Sequence, residues 1–156
     1  MDKIIFVVMI SIGIIVFFLF KKNERFYPLN DTSSQYMLDS LQSAVFHILD
    51  NTKTKFQGYL ISLNHEDYRK KFTLQEGYSS FTENKKKIVL CMKNQHGEVY
   101  SFNSLLYVLL HEIAHVINDE LHHTKKFQRI FNELLQHATR LGYYNPKMPF
   151  ESNYCT

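Results

Sequence analysis

The chain has 156 residues, 45% hydrophobic and 21% charged, with a formal net charge of +3. That leaves room for one domain with a small core, is too apolar for a disordered chain, and is too weakly basic to favour a protein held to nucleic acid by charge. Two cysteines make no disulfide framework, and no Gly-rich phosphate loop, CxxC pair, GxSxG elbow or internal repeat occurs.

Ile4 to Phe20 is an uncharged run bracketed by Lys3 and Lys21-Lys22. As a helix it would span roughly 25 Å, workable against a hydrocarbon core when basic residues snorkel at its ends. It predicts one N-terminal transmembrane helix over residues 1–21, retained because no small-x-small cleavage site precedes the basic cluster. Lys21, Lys22 and Arg25 outnumber Lys3 and the amino terminus. A single-pass membrane protein with its C-terminal domain on the cytosolic side is the expectation, and Cys91 and Cys155, read as ordinary thiols, agree with it.

Residues 22–33 read as a juxtamembrane linker and residues 34–156 as the folded domain. Met37, Leu38, Leu41, Ala44, Val45, Ile48 and Leu49 recur at steps of three and four, which predicts an amphipathic helix over 34–50 capped by Ser33 or Ser34. Phe56 to Leu63 reads as a strand, and the polar stretch after it, to Lys87, as loop with room for one short strand. The basic runs Arg69-Lys70-Lys71, Lys85-Lys86-Lys87 and Lys125-Lys126 read as a solvated face, with nucleic-acid binding the less favoured reading. Ile88-Val89-Leu90-Cys91-Met92 is short, β-branched and followed by the turn residues Asn94 to Gly97, so a strand is predicted there.

Ser101 can then cap an apolar helix ending in His111-Glu112-Ile113-Ala114-His115. Four residues apart on one helix face, His111 and His115 can share a metal ion with Glu112 beside them, which is the HExxH pattern of zinc peptidases. Leu105, Leu106, Val108, Leu109, Leu110, Ile113 and Ile117 make the helix apolar nearly all round. Such a helix is buried, and burying two histidines and a glutamate there calls for a metal or dense hydrogen bonding.

A catalytic zinc site takes a third protein ligand, and His122, His123 and Glu133 are the candidates. Phe127, Ile130, Phe131, Leu134, Leu135, Ala138 and Leu141 form the apolar stripe of a closing helix. Stepping back along it at about 100° per residue puts His123 in line with Phe127, while His122 falls to the side and Glu133 points away. His123 is therefore the expected ligand.

The pattern HExxH, a short spacer, then His123 followed by Phe127 resembles the WLM-type metalloproteases and their SprT-like relatives, over roughly residues 86–142. The resemblance implies a minimal zincin-like zinc metalloprotease domain with one Zn²⁺ held by His111, His115 and His123, Glu112 in the catalytic role, and a protein or peptide substrate. The DNA-repair role of larger relatives is not carried over.

The order helix, strands, helix, helix predicts an α+β fold, with a small, mainly antiparallel sheet packed on the HExxH helix. The strand preceding that helix could offer a free edge to an extended peptide. Glu112 would act as general base toward a water that the metal activates. Tyr143 and Tyr144 are considered as oxyanion donors and read as ordinary packing, and Asp119 and Glu120 as solvated charges. His47, His65, His96 and His137 have no ligand spacing. The alternatives are a catalytically silent, membrane-anchored structural or interaction protein with a stabilising zinc site, and a nucleic-acid-binding tether.

Overall fold

A computed structural model describes residues 32–52, 68–151 and 153–155. Helix α1 (Thr32–Thr52) leads, followed by a 3₁₀ turn (Tyr68–Lys70), strands β1 (Thr73–Gly77), β2 (Phe81–Glu83) and β3 (Lys87–Cys91), then helices α2 (Phe102–Ile117) and α3 (Lys125–Arg140). Class α+β holds, and α1, β3, α2 and α3 fall where periodicity put them. Leu41, Val45, Ile48 and Leu49 of α1 are buried against α2 and α3, as the three-and-four spacing requires. Ser33 and Ser34 lie inside this helix rather than at its cap.

Two parts of the expected architecture are corrected. The sheet is mixed, not mainly antiparallel: its order is β1-β3-β2, with β1 parallel to β3 over five residue pairs and β2 antiparallel over three. The parallel partner, Thr73-Leu74-Gln75-Glu76-Gly77, carries one large apolar residue and has no hydrophobic alternation to betray it. The transmembrane helix expected as the first element is not part of the described architecture either. No helix among the described residues is long and apolar enough to cross a membrane. Residues 1–31, where the anchor and most of the linker were placed, and residues 56–63, read as a strand, lie outside the described residues.

Ile88 to Met92 is buried throughout because β3 is the central strand, so its edges are not available to a peptide. Among the described residues the unpaired edge nearest α2 belongs to β2. Residues 78–80 carry the chain from β1 over the C-terminal end of β3 to β2, a hop of two strand spacings, about 10 Å. The crossing is tight enough that a Cβ on Gly77 would collide with Val89 Cγ1, which is why glycine stands there. Between β2 and β3, Asn84 and Lys85 both take positive φ (51° and 56°) and Lys86 N donates to Glu83 O at 3.0 Å. That primed turn matches the twist of a hairpin.

Cys91, the last residue of β3, is bonded to Cys155, with Cα atoms 6.2 Å apart. Two ordinary thiols were expected; the tail folds back onto the end of β3 and brings together residues 64 positions apart.

Candidate metal centre

Helix α2 starts where its first free amides find a partner: Ser101 is extended (φ −61°, ψ 147°) and its side chain accepts from Ser104 N. From there the helix runs through a dry core, with Leu105, Leu106, Leu109, Leu110 and Ala114 fully buried. His111 and His115 emerge from its partly exposed side, and their ring centroids are 5.0 Å apart.

His123 is delivered by the link from α2 to α3. Asn118, fully buried, caps α2 through its backbone N–H to Ala114 O (2.9 Å), and its side chain folds the next residues by accepting from Glu120 N and donating to Glu120 O. Lys85 Nζ also donates to Asn118 O, tying the β2–β3 turn to the negative end of the helix. His122 then takes a left-handed φ of 64°, and Thr124 caps α3 by accepting from Phe127 N. The reversal at His122 turns the following imidazole inward.

The result is a convergence of three Nε2 atoms: His123 lies 3.0 Å from His111 and 3.1 Å from His115. Each Nε2 of a neutral imidazole offers either one N–H or one lone pair, so the three cannot all pair with one another, whereas as three lone pairs they would face a single cation. Nitrogens bound tetrahedrally at 2.0–2.1 Å would be about 3.3 Å apart, close to the spacing found. His111, His115 and His123 are thus positioned so that they can hold one metal ion.

All three rings rest on one side chain. Phe127, with no exposed surface, has its centroid 4.9 Å from that of His111, 4.4 Å from His115 and 4.7 Å from His123. Replacing it with Ala is expected to destabilise the fold by about 3–5 kcal/mol. The same change should weaken metal affinity, whereas Phe127→Leu should restore most of the stability and less of the affinity. Denaturant unfolding beside metal titration checks both.

Burial keeps His111 and His115 neutral and ready for a cation. Burial, reinforced by His115 and His123, lowers the His111 pKa to about 4, and burial with His123 and Lys85 nearby lowers that of His115. Neutral imidazole is the ligating form.

Glu112 is buried in the wall of the same cleft, which has a volume of about 630 Å³. Thr82, on β2, donates to its Oε2 at 2.7 Å, with Glu112 O also 3.1 Å away. Burial raises the Glu112 pKa, against the opposing pull of the Thr82 bond and of His123. The carboxylate is therefore a better proton acceptor than a solvated one. Ser80, Thr82 and Lys85 line one wall of the cleft, and Glu120, Leu121 and His122 the other.

The remaining sequence candidates lie elsewhere. Glu133 is not among the converging groups; Asp119 pairs with Lys126 at 2.5 Å; the Tyr143 hydroxyl meets His47 Nδ1 at 3.0 Å; and Tyr144 packs on Tyr107. Sequence reasoning missed Thr82 and Lys85, because a three-residue strand and a turn lysine carry no spacing signal. The only hint was Ser80-Phe81-Thr82, a short polar and apolar alternation.

No family model matches the chain and no solved structure matches it. It is 47% identical over 141 residues to a protein described as "Uncharacterized protein 136R" of Invertebrate iridescent virus 6, covering 85% of this chain and 79% of the relative. A second relative, "Uncharacterized protein 042R" of Invertebrate iridescent virus 3, is 39% identical over 64% of this chain and 63% of its own length. "Uncharacterized protein R325" of Acanthamoeba polyphaga mimivirus is 32% identical over 87% of this chain and 83% of its own length.

Proposed function

We propose that this chain, which belongs to the family of the iridescent-virus protein 136R and the mimivirus protein R325, is a zinc-dependent endopeptidase. The observation that carries the reading is the Glu112 carboxylate, held by Thr82 in the same cleft as the three converging imidazoles. A site that used metal only for stability would gain nothing from a buried carboxylate there, since its desolvation works against folding. The likeness of the HExxH, His123 and Phe127 pattern to WLM-type and SprT-like proteases supports the same class.

Imidazole donors at tetrahedral spacing suit Zn²⁺, which when bound supplies Lewis acidity that lowers the pKa of water and polarises a carbonyl. His111, His115 and His123 would hold it, with Phe127 fixing their rings. Glu112 takes the proton of the attacking water and passes it to the leaving amine as the peptide C–N bond breaks. Thr82 keeps the carboxylate aimed during both transfers. Among the described residues the edge of β2 away from β3 is unpaired, and it can take an extended substrate as one more strand, which makes a polypeptide the fitting partner.

The test is hydrolysis of a denatured protein by the full-length chain loaded with zinc. Cleavage should stop on chelation and return when zinc is added back. Cleavage that persists in chelator would overturn the proposal.

A further inference from the structure

The end of β3 is closed by a ring of three hydrogen bonds that involves the chain's C-terminal segment. Cys91 N donates to Ser80 Oγ at 2.9 Å, and the Tyr154 hydroxyl donates to Cys91 O at 2.8 Å. Ser80 Oγ and Tyr154 Oη are 2.9 Å apart. The single phenolic proton is committed to the Cys91 carbonyl, so Ser80 donates to Tyr154 and the circuit closes. Register explains why the ring is there. β2 pairs with β3 only from Phe81 opposite Val89, so Cys91 has no β2 residue opposite it and a side chain and a phenol satisfy its backbone groups instead.

Tyr154 is itself held firmly. Its neighbour Cys155 is bonded to Cys91, and Cys155 N donates to the Tyr100 hydroxyl at 2.8 Å. Tyr100 in turn donates to Asn153 O at 3.1 Å, and the two tyrosine rings lie 4.7 Å apart. The segment 153–155 is thus anchored by one covalent bond and two hydrogen bonds before Tyr154 makes its own.

What Tyr154 holds leads to the cleft. Ser80 lines the cleft and immediately precedes β2, and two residues later Thr82 bonds the Glu112 carboxylate. We propose that Tyr154, delivered by the Cys91–Cys155 disulfide, is a positioning residue of the hydrolytic site: through Ser80 it fixes the start of β2, and so the Thr82 that aims Glu112. Burial, with smaller contributions from Tyr100, Glu112 and Glu151 and against the Ser80 hydrogen bond, pushes the Tyr154 phenol up to about 12. It therefore stays a neutral donor over the whole working range of a zinc peptidase.

The inference rests on the proposed hydrolysis for its functional meaning, and the experiment separates the two. Tyr154→Phe, Ser80→Ala, the double variant and Cys155→Ser are made in the full-length chain, and each is checked for one bound zinc. Amide hydrogen exchange at residues 81–83 should rise at least about tenfold in Tyr154→Phe and in Ser80→Ala, each of which removes two of the ring's three bonds, while exchange in α2 and α3 stays as in the parent; Cys155→Ser, which also removes the cross-link, should raise it both there and across the domain. With hydrolysis measured alongside, kcat should fall about tenfold with KM within about twofold, because a displaced base impairs the reaction more than binding. Tyr154→Phe with Ser80→Ala should fall short of the sum of the two, because the bond between Ser80 and Tyr154 is lost in both single variants. A purely structural role of Tyr154 would instead raise exchange everywhere in Tyr154→Phe and give additive losses in the double variant. Unchanged exchange at residues 81–83 in Tyr154→Phe, or additive effects in the double variant, would overturn the inference. Should the parent cleave nothing, the hydrolytic reading falls, and exchange in the four variants still decides whether Tyr154 holds β2 through Ser80.

Discussion

Glu112→Gln should leave a folded, zinc-loaded protein whose kcat is lower by about 10²–10⁴, the usual contribution of a positioned general base. The substitution keeps the side-chain volume and leaves a carbonyl oxygen to accept from Thr82 Oγ1, so the bond that now measures 2.7 Å has a counterpart in the variant. What it removes is the ability to take a proton. The sign of the stability change is a separate check. A carboxyl whose folded pKa is raised favours the folded state below its unfolded pKa and loses that contribution as pH rises through the folded value. At neutral pH the parent therefore bears a desolvation penalty that the Thr82 bond and His123 offset only in part and that the neutral amide avoids, so zinc-free Glu112→Gln should melt at the same temperature as the zinc-free parent or higher. Zinc stoichiometry, thermal unfolding and turnover on one peptide decide it. Undiminished turnover would show that Glu112 is not the base, and a lowered melting point would show that the carboxylate is a structural partner.

The two adjacent histidines make the second large effect. His123→Ala should cost at least about 10²-fold in zinc affinity, since even partners one shell out from a metal are worth 10–100-fold. His122→Ala should bind zinc as the parent does, because its neighbour's Nε2 is the one within 3.1 Å of both other imidazoles. His122 already bears the Cβ penalty of φ 64°, so His122→Ala should change stability little, whereas His122→Gly should gain up to about 1 kcal/mol. Calorimetric zinc titration of the three variants checks this, and equal losses for His122→Ala and His123→Ala would mean that the ring at 122 also reaches the ion.

Helices and ligands were legible because they carry period. The stripe Phe127, Ile130, Phe131, Leu134, Ala138 identified α3, and extending it backwards singled out His123, which needs no knowledge of where α3 sits. The sheet was harder to read for a physical reason. β1 is a polar edge strand and β2 is three residues long, so neither buries enough side chains to impose alternation, and the parallel pairing of β1 with β3 is decided by tertiary contact. Thr82 was invisible for the same cause: its importance comes from β2 lying across Glu112, a contact between residues thirty positions apart. The Cys91–Cys155 bond escaped too, since two isolated cysteines in a chain of this size give no spacing from which pairing follows.

The strand order has a bearing on assembly. β2 and β3 are neighbours in the chain and meet across a tight reversal, so their ladder closes a very short loop. β1 can join only a β3 already in place, because the central strand comes last of the three along the polypeptide and fills the gap between its predecessors. Loop-closure entropy thus favours hairpin first and parallel edge second. The cleft wall that carries Thr82, built on β2, belongs to the early unit, and the covalent stitch at the far end of β3 is sewn only when the C-terminal segment has come home to that strand.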